Sequence, residues 1–170
     1  MRERRASIGR DAGFTLIELM VVLVVLGVLA AIAVPTFLDA RTRADDKAAQ
    51  SDLRNGALAA RTIYSTAGDF SAITIAEMRT AEPALQFVLR SIVSSPLNDY
   101  AVSFRVWNFG EVNMARLSAS GDCYYIRAIE EQGFVPADEP GTYYGWRNGI
   151  ACTGDQIAGF GTTPLSFPGW

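Results

Sequence analysis

Glu18 is the residue whose chemistry most needs explaining. It lies in the run Phe14–Val34 (FTLIELMVVLVVLGVLAAIAV), where Thr15 is the other polar member. A carboxylate inside so apolar a segment costs on the order of 2.5 kcal/mol or more in a membrane, and such residues are usually paired and functional. If the backbone were cut after Gly13, Phe14 would carry a new, positively charged α-amino group. Glu18 of one copy and the amine of another, at similar depth, would then form a pair. That pair would offset the desolvation of both groups and fix the axial register between neighbours. The alternative is that Glu18, four residues into the run, sits at headgroup level and is simply hydrated.

The remaining reactive side chains are few. Cys123 and Cys152 lie far beyond the apolar run, and the chain has no histidine. That set is too small for a structural zinc cage, so a single disulfide is the natural reading, and it implies an oxidising compartment. The loop between the cysteines has about 30 residues, and closing it is worth roughly 3.5 kcal/mol by the loop-entropy argument; two free thiols are the other reading. Without histidine there is no Ser-His or Cys-His nucleophile pair. No GxSxG elbow is present, and a Ser–Lys hydrolase would have to use Lys47. Asp122, Asp138, Glu139 and Asp155 are the acids available to a calcium site, but they form no EF-hand pattern. No catalytic residue, cofactor-binding pattern or metal-ligand set is assigned. The net charge of −3 includes a basic start (Arg2, Arg4, Arg5 and Arg10 against Glu3 and Asp11), so the rest is more acidic still. That balance speaks against a dedicated nucleic-acid surface.

The elements that position these groups follow from hydropathy. Hydrophobic residues make up 49% of the chain, high for a soluble domain, and they concentrate in the first run. As a helix its 21 residues reach roughly 31 Å, the thickness of a bilayer core. A secretory signal cut around Ala30–Ala33 is conceivable, but the run is long for a signal and right for a span. The arginines hold the start in the cytoplasm and place the C-terminal domain outside.

Read together, Gly13-Phe14-Thr15-Leu16-Ile17-Glu18 (GFTLIE), the short basic leader before it and the apolar run after it resemble the class III signal sequence of type IV pilins and pseudopilins. The resemblance covers about the first fifth of the chain, and its motif is very specific. It implies that a prepilin peptidase cuts between Gly13 and Phe14 and methylates the new amine of Phe14. It implies that Glu18 serves assembly by meeting a neighbour's amine, and that Gly27 and Pro35 are points of helix flexibility. A C-terminal loop bounded by the Cys123–Cys152 disulfide agrees with it. The partners implied are other pilin subunits in a homopolymer, the peptidase, and an inner-membrane assembly platform driven by an ATPase.

Pro35 lacks an amide donor and is expected to kink or interrupt the helix, and Gly27 weakens it by about 1 kcal/mol relative to alanine. Beyond Thr36 the helix becomes amphipathic: Ala49, Leu53, Ala57, Ala60 and Tyr64 form a stripe, while Asp39, Arg41, Arg43, Asp45, Asp46, Lys47, Asp52, Arg54 and Arg61 read as a solvated face, with subunit contacts the other reading and Asp39–Arg43 and Arg41–Asp45 spaced as i,i+4 pairs. Turn chemistry at Ser65–Gly68 ends it. Ser71–Glu82 reads as a short helix capped by Thr74 with Glu77 three residues on. Leu85–Leu89, Tyr100–Trp107, Val112–Ala119 and Cys123–Ile129 read as strands, and Gly133–Trp170 as mostly loop. The late aromatics Tyr143, Tyr144, Trp146, Phe160, Phe167 and Trp170 fill gaps under loops or make a subunit or adhesive contact.

The expected fold is therefore α+β: a long N-terminal helix packed on a small antiparallel sheet of three or four strands, with a disulfide-tied C-terminal loop region. The expected division is a leader over 1–13, a membrane-spanning and filament-core helix over 14–35, its amphipathic half over 36–66, and a globular head over 67–170. The function read is a structural subunit of a type IV pilus or related filament, held in the cytoplasmic membrane as a single-pass precursor and extracellular after assembly. A pseudopilin or minor pilin of a secretion or DNA-uptake system is the alternative. A permanently anchored extracytoplasmic binding domain is a third reading, and it predicts no cut at Gly13.

Overall fold

The computed structural model describes residues 13–89, 100–131, 139–148 and 152–155. The leader through Ala12, part of the acidic set (Asp138) and the late aromatics Phe160, Phe167 and Trp170 lie outside the described residues. Residues up to Ala40 and residues from Arg41 form two compact units.

A single helix, α1, runs Leu16–Ala67. Pro35 lies inside it without interrupting it, contrary to one expectation from sequence. The proline removes one amide donor. The next carbonyl along, that of Ile32, accepts from the Thr36 hydroxyl at 3.1 Å, a bond back to the preceding turn that helices tolerate with slight bending. The helix stops at Gly68, whose φ of 87° is a conformation glycine adopts without a Cβ penalty. Asp69 then caps a 3-10 turn, Phe70–Ala72, by accepting the Ser71 amide at 2.7 Å. The expected capping box follows: the Thr74 hydroxyl accepts the Glu77 amide, the Glu77 carboxylate accepts the Thr74 amide, and α2 runs Ile75–Ala81.

Five strands follow: β1 Phe87–Leu89, β2 Val102–Asn108, β3 Glu111–Leu117, β4 Asp122–Ile129 and β5 Gly141–Asn148, paired in sequence order. This corrects the expected count of three or four. The added strand is β5, in the tail read as loop. The β1–β2 pair is parallel and the other three are antiparallel. Gly141 and Gly145 lower the intrinsic strand preference of β5, so its sequence reads as turn. Gly145 has a packing reason: a Cβ there would lie 2.3 Å from the Tyr125 ring on β4. The pairs Ile126↔Tyr144 and Tyr124↔Trp146 place β5 aromatics beside β4. Tyr143, Tyr144 and Trp146 are therefore strand residues.

Period-two alternation splits the sheet into two faces. Val102, Phe104, Val112, Met114, Tyr124, Ile126 and Ala128 share one cluster with Ala49, Leu53, Ala57 and Ala60 of α1. Tyr64, the last residue of the predicted stripe, packs against that cluster. Gly56 admits close approach, since a Cβ there would meet the Met114 sulfur at 3.2 Å. On the other face Ala115, Cys123, Tyr125 and Cys152 form a smaller cluster.

Part of the charged face of α1 is not simply solvated. Asp46 accepts from the Ser118 and Ser120 hydroxyls at 2.7 and 2.6 Å. Asp52 pairs with Arg116 at 2.8 Å. Arg61 pairs with Glu130 and donates to the Thr142 hydroxyl at 2.7 Å. These three side chains flank the apolar stripe and tie it to the ends of the strands.

Candidate functional site

The local chemistry of Glu18 is set by the start of α1. Gly13, Phe14 and Thr15 precede the helix. The Thr15 amide and hydroxyl both donate to Glu18 Oε2, at 3.2 and 3.0 Å, and the Glu18 amide donates back to the Thr15 hydroxyl at 3.3 Å. This is a capping box, with Thr15 as cap and Glu18 three residues in. The carboxylate therefore has partners within its own chain, and it also complements the positive end of the helix dipole. Sequence reasoning passed over Thr15. The signal was present as T-x-x-E ahead of an apolar run, the same signal that located Thr74 and Glu77.

Around this box the surface is apolar and open. Phe14 is 87% exposed, and the large side chains from Leu16 to Leu38 are exposed along the helix. Within this first unit the helix therefore presents bare hydrocarbon to its surroundings. By length and composition α1 can cross a membrane.

Among the described residues, packing does not account for either glycine of the segment. A Cβ at Gly13 or at Gly27 would meet nothing within 4 Å, and neither residue has a positive φ. Gly27 even costs the helix about 1 kcal/mol relative to alanine.

The cysteines are joined: Cys123 and Cys152 have an S–S distance of 2.06 Å and a Cα–Cα distance of 5.4 Å. Two polar contacts continue the attachment. The Gly154 amide donates to the Ser103 hydroxyl at 3.1 Å, and Arg105 pairs with Asp155 at 2.7 Å while its guanidinium lies 3.9 Å from the Trp107 ring centre. Gly154 approaches the β2 backbone so closely that a Cβ would fall 2.9 Å from the Arg105 nitrogen.

The other candidates do not converge. Asp155 is engaged by Arg105, whereas burial, and after it the Asp46 charge, raises the Asp122 carboxyl above its usual range. Among the described residues no group of three or more His, Cys, Asp or Glu gathers as a metal site. Lys47 donates to Gln50 Oε1 at 3.0 Å. Burial, together with Asp46 and Asp122, pushes the Tyr124 hydroxyl up to about 12.

An exposed apolar helical segment that opens with a capped glutamate precedes, in the sequence, a disulfide-tied α+β head. Comparisons with known proteins bear on the first of these. Residues 8–34 match the prokaryotic N-terminal methylation motif. The chain is similar to the type IV major pilin protein PilA of Myxococcus xanthus, 39% identical over 62 residues that cover 36% of this chain and 28% of that protein. It is similar to the type IV narrow pilus major component PilA5 of Thermus thermophilus, 47% identical over 58 residues, 34% of this chain and 47% of that protein. It is also similar to the type II secretion system core protein G of Aeromonas hydrophila, 48% identical over 44 residues, 26% of this chain and 31% of that protein. The chain thus spans less than half the length of each of these relatives. No solved structure matches it.

Proposed function

We propose that this protein is a structural, non-catalytic subunit of a type IV pilus or a related filament. It is made as a membrane precursor, cut between Gly13 and Phe14, methylated at Phe14 and polymerised through its N-terminal helix. The observation that carries this reading is the bare apolar surface of α1 from Leu16 to Leu38, with Glu18 at its head. Such a surface is stable in lipid or against other apolar helices and in neither case meets water. Moving from lipid to a bundle of sister helices changes its partners and keeps it dry. The Glu18 carboxylate, paired with the new amine of a neighbour, sets the register. The head lies outside the cytoplasm, where the disulfide persists.

The relatives support both a pilus and a secretion pseudopilus. The alignments to the two pilus components are longer, 62 and 58 residues against 44 for core protein G, and on that ground we favour the pilus. Glycine at 13 without an internal reason supports recognition by an outside agent, a prepilin peptidase in this reading. The partners proposed are further pilin subunits, that peptidase, and an inner-membrane platform with its ATPase.

The test is the mass and N-terminal residue of the protein purified from its own host. Loss of residues 1–13 with a methylated Phe14 is expected. A chain that keeps its arginine-rich start, alone in the membrane, would overturn the reading and leave a permanently anchored domain. With cutting established, Glu18→Ala is expected to mature normally and to lose filaments; normal filaments from this variant would remove the assembly role of Glu18.

A further inference from the structure

We propose that Thr15 is a positioning residue for the cut between Gly13 and Phe14: its hydroxyl stops α1 short of that bond and leaves the bond open to a peptidase. The inference rests on the cut proposed above and adds the residue that presents it.

Hydrolysis of this bond adds the hydroxyl of a water to the Gly13 carbonyl carbon and the remaining proton to the Phe14 nitrogen, freeing a carboxylic acid and an amine. The carbonyl oxygen takes up negative charge on the way, and a peptidase stabilises that charge with its own donors. A carbonyl already bonded inside a helix is closed to those donors. Here the bond lies outside the helix. Gly13, Phe14 and Thr15 precede α1, and Gly13 and Phe14 are exposed. The first carbonyl to accept a helix amide is that of Thr15, from Leu19 at 3.2 Å. Among the described residues, no backbone amide donates to the Gly13 or Phe14 carbonyl.

The Thr15 side chain sets this limit. One more residue of helix would need the Glu18 amide on the Phe14 carbonyl, and a second would need the Ile17 amide on the Gly13 carbonyl. The Thr15 hydroxyl takes the Glu18 amide instead, at 3.3 Å. The Glu18 carboxylate takes the Thr15 amide at 3.2 Å, so that donor is satisfied without a further turn. Without the hydroxyl, the Glu18 amide needs another acceptor, because an unpaired amide in apolar surroundings is costly. The helix pattern offers it the Phe14 carbonyl. Gly13 is then a ready cap, since glycine is accepted there, and a cap residue's carbonyl takes the first helix bond. The carbonyl to be cut would thus be drawn into the helix. That longer start also has to order Gly13 and Phe14, so it is weaker than the present one. Glu18→Ala keeps the backbone amide and the Thr15 hydroxyl, which agrees with its expected normal maturation.

The test is the cutting of carbon-13-labelled full-length precursor in detergent by membranes of its own host, followed by mass spectrometry at several precursor concentrations. The wild type is expected to lose residues 1–13. Thr15→Val keeps the shape of the side chain and loses the acceptor. It is expected to be cut with about fivefold lower kcat/KM, the factor that one helix cap carries, and Thr15→Ser within about twofold of the wild type. In micelles, the Gly13 and Phe14 carbonyl NMR shifts are expected to move toward helical values in Thr15→Val and to stay in place in Thr15→Ser. A wild type left intact overturns the cut and this inference with it. Equal rates for the wild type and Thr15→Val overturn the inference alone. So does a slow Thr15→Val whose carbonyl shifts are unmoved, since the peptidase would then read the side chain directly. Thr15→Ser cut as slowly as Thr15→Val has the same consequence, because the hydroxyl would not be what matters.

Discussion

The Thr15 hydroxyl lies 3.0 Å from the Glu18 carboxylate, so the acid in the apolar helix already has a partner in its own chain. The cost of carrying Glu18 into lipid is thereby reduced before any neighbour arrives. Pairing with a neighbour's amine must compete with these local bonds or share the carboxylate's free lone pairs with them, since an ionised carboxylate has about four acceptor sites.

Thr15→Ala is expected to weaken the start of α1 by about 1 kcal/mol, with Thr15→Ser retaining the cap. The amides from Leu16 to Glu18, followed by NMR hydrogen exchange in micelles, are then expected to exchange about fivefold faster. Unchanged exchange would mean that the cap contributes nothing to order at this end.

Arg116 connects three parts of the head. It pairs with Asp52 of α1 at 2.8 Å, donates to the Tyr100 carbonyl at 2.8 Å and lies over the Tyr100 ring. Tyr100 has a φ of 57°, an uncommon conformation for a non-glycine residue. Burial lowers the guanidinium's pKa and raises that of Asp52, so desolvation outweighs mutual attraction on both sides. Arg116→Ala is expected to cost about 2 to 3 kcal/mol by leaving Asp52 half-buried and the Tyr100 carbonyl without its donor. Urea unfolding of the full chain in detergent measures it, and a loss under about 0.5 kcal/mol would show the contact to be dispensable.

Cys152→Ser is expected to lower stability by about 3 kcal/mol and to leave membrane insertion unchanged. The thermal melting temperature with and without reductant checks this. The variant and the reduced wild type should melt together, and a wild type indifferent to reductant would contradict the structural role of the bridge.

Asp122 gives a pH prediction. Its carboxyl is raised above 3.8 in the folded state, first by burial and then by the Asp46 charge. The folded state therefore holds this proton more tightly than the unfolded state. The resulting stabilisation is complete below the unfolded value and is lost as pH rises through the folded one. Asp122→Asn removes that dependence, so the wild type should lose stability relative to the variant as pH rises from the ordinary aspartate range through the raised folded-state value. A constant difference across that range would contradict the assignment.

The helix from Leu16, its end beside Gly68, the Thr74 cap and the stripe at Ala49, Leu53, Ala57 and Ala60 were legible in the sequence. Each is a local matter: hydropathy over a few turns, a cap within three residues, or a 3.6-residue period. The apolar run and the lone Glu18 are local in the same sense, and they carry most of the functional reading. The Thr15 cap is equally local, a T-x-x-E pattern within one turn.

What the tertiary structure alone decided lies between residues distant in sequence. β5 pairs along β4 with Tyr125 packed over Gly145, and a turn-rich local sequence reveals neither contact. The parallel β1–β2 pair, the engagement of Asp46 and Arg61 of α1 by the head, and the attachment of Gly154 and Asp155 to β2 have the same origin. Composition and period determine which elements form. Which side chains meet across them depends on packing and register, and a single strand's sequence does not contain those.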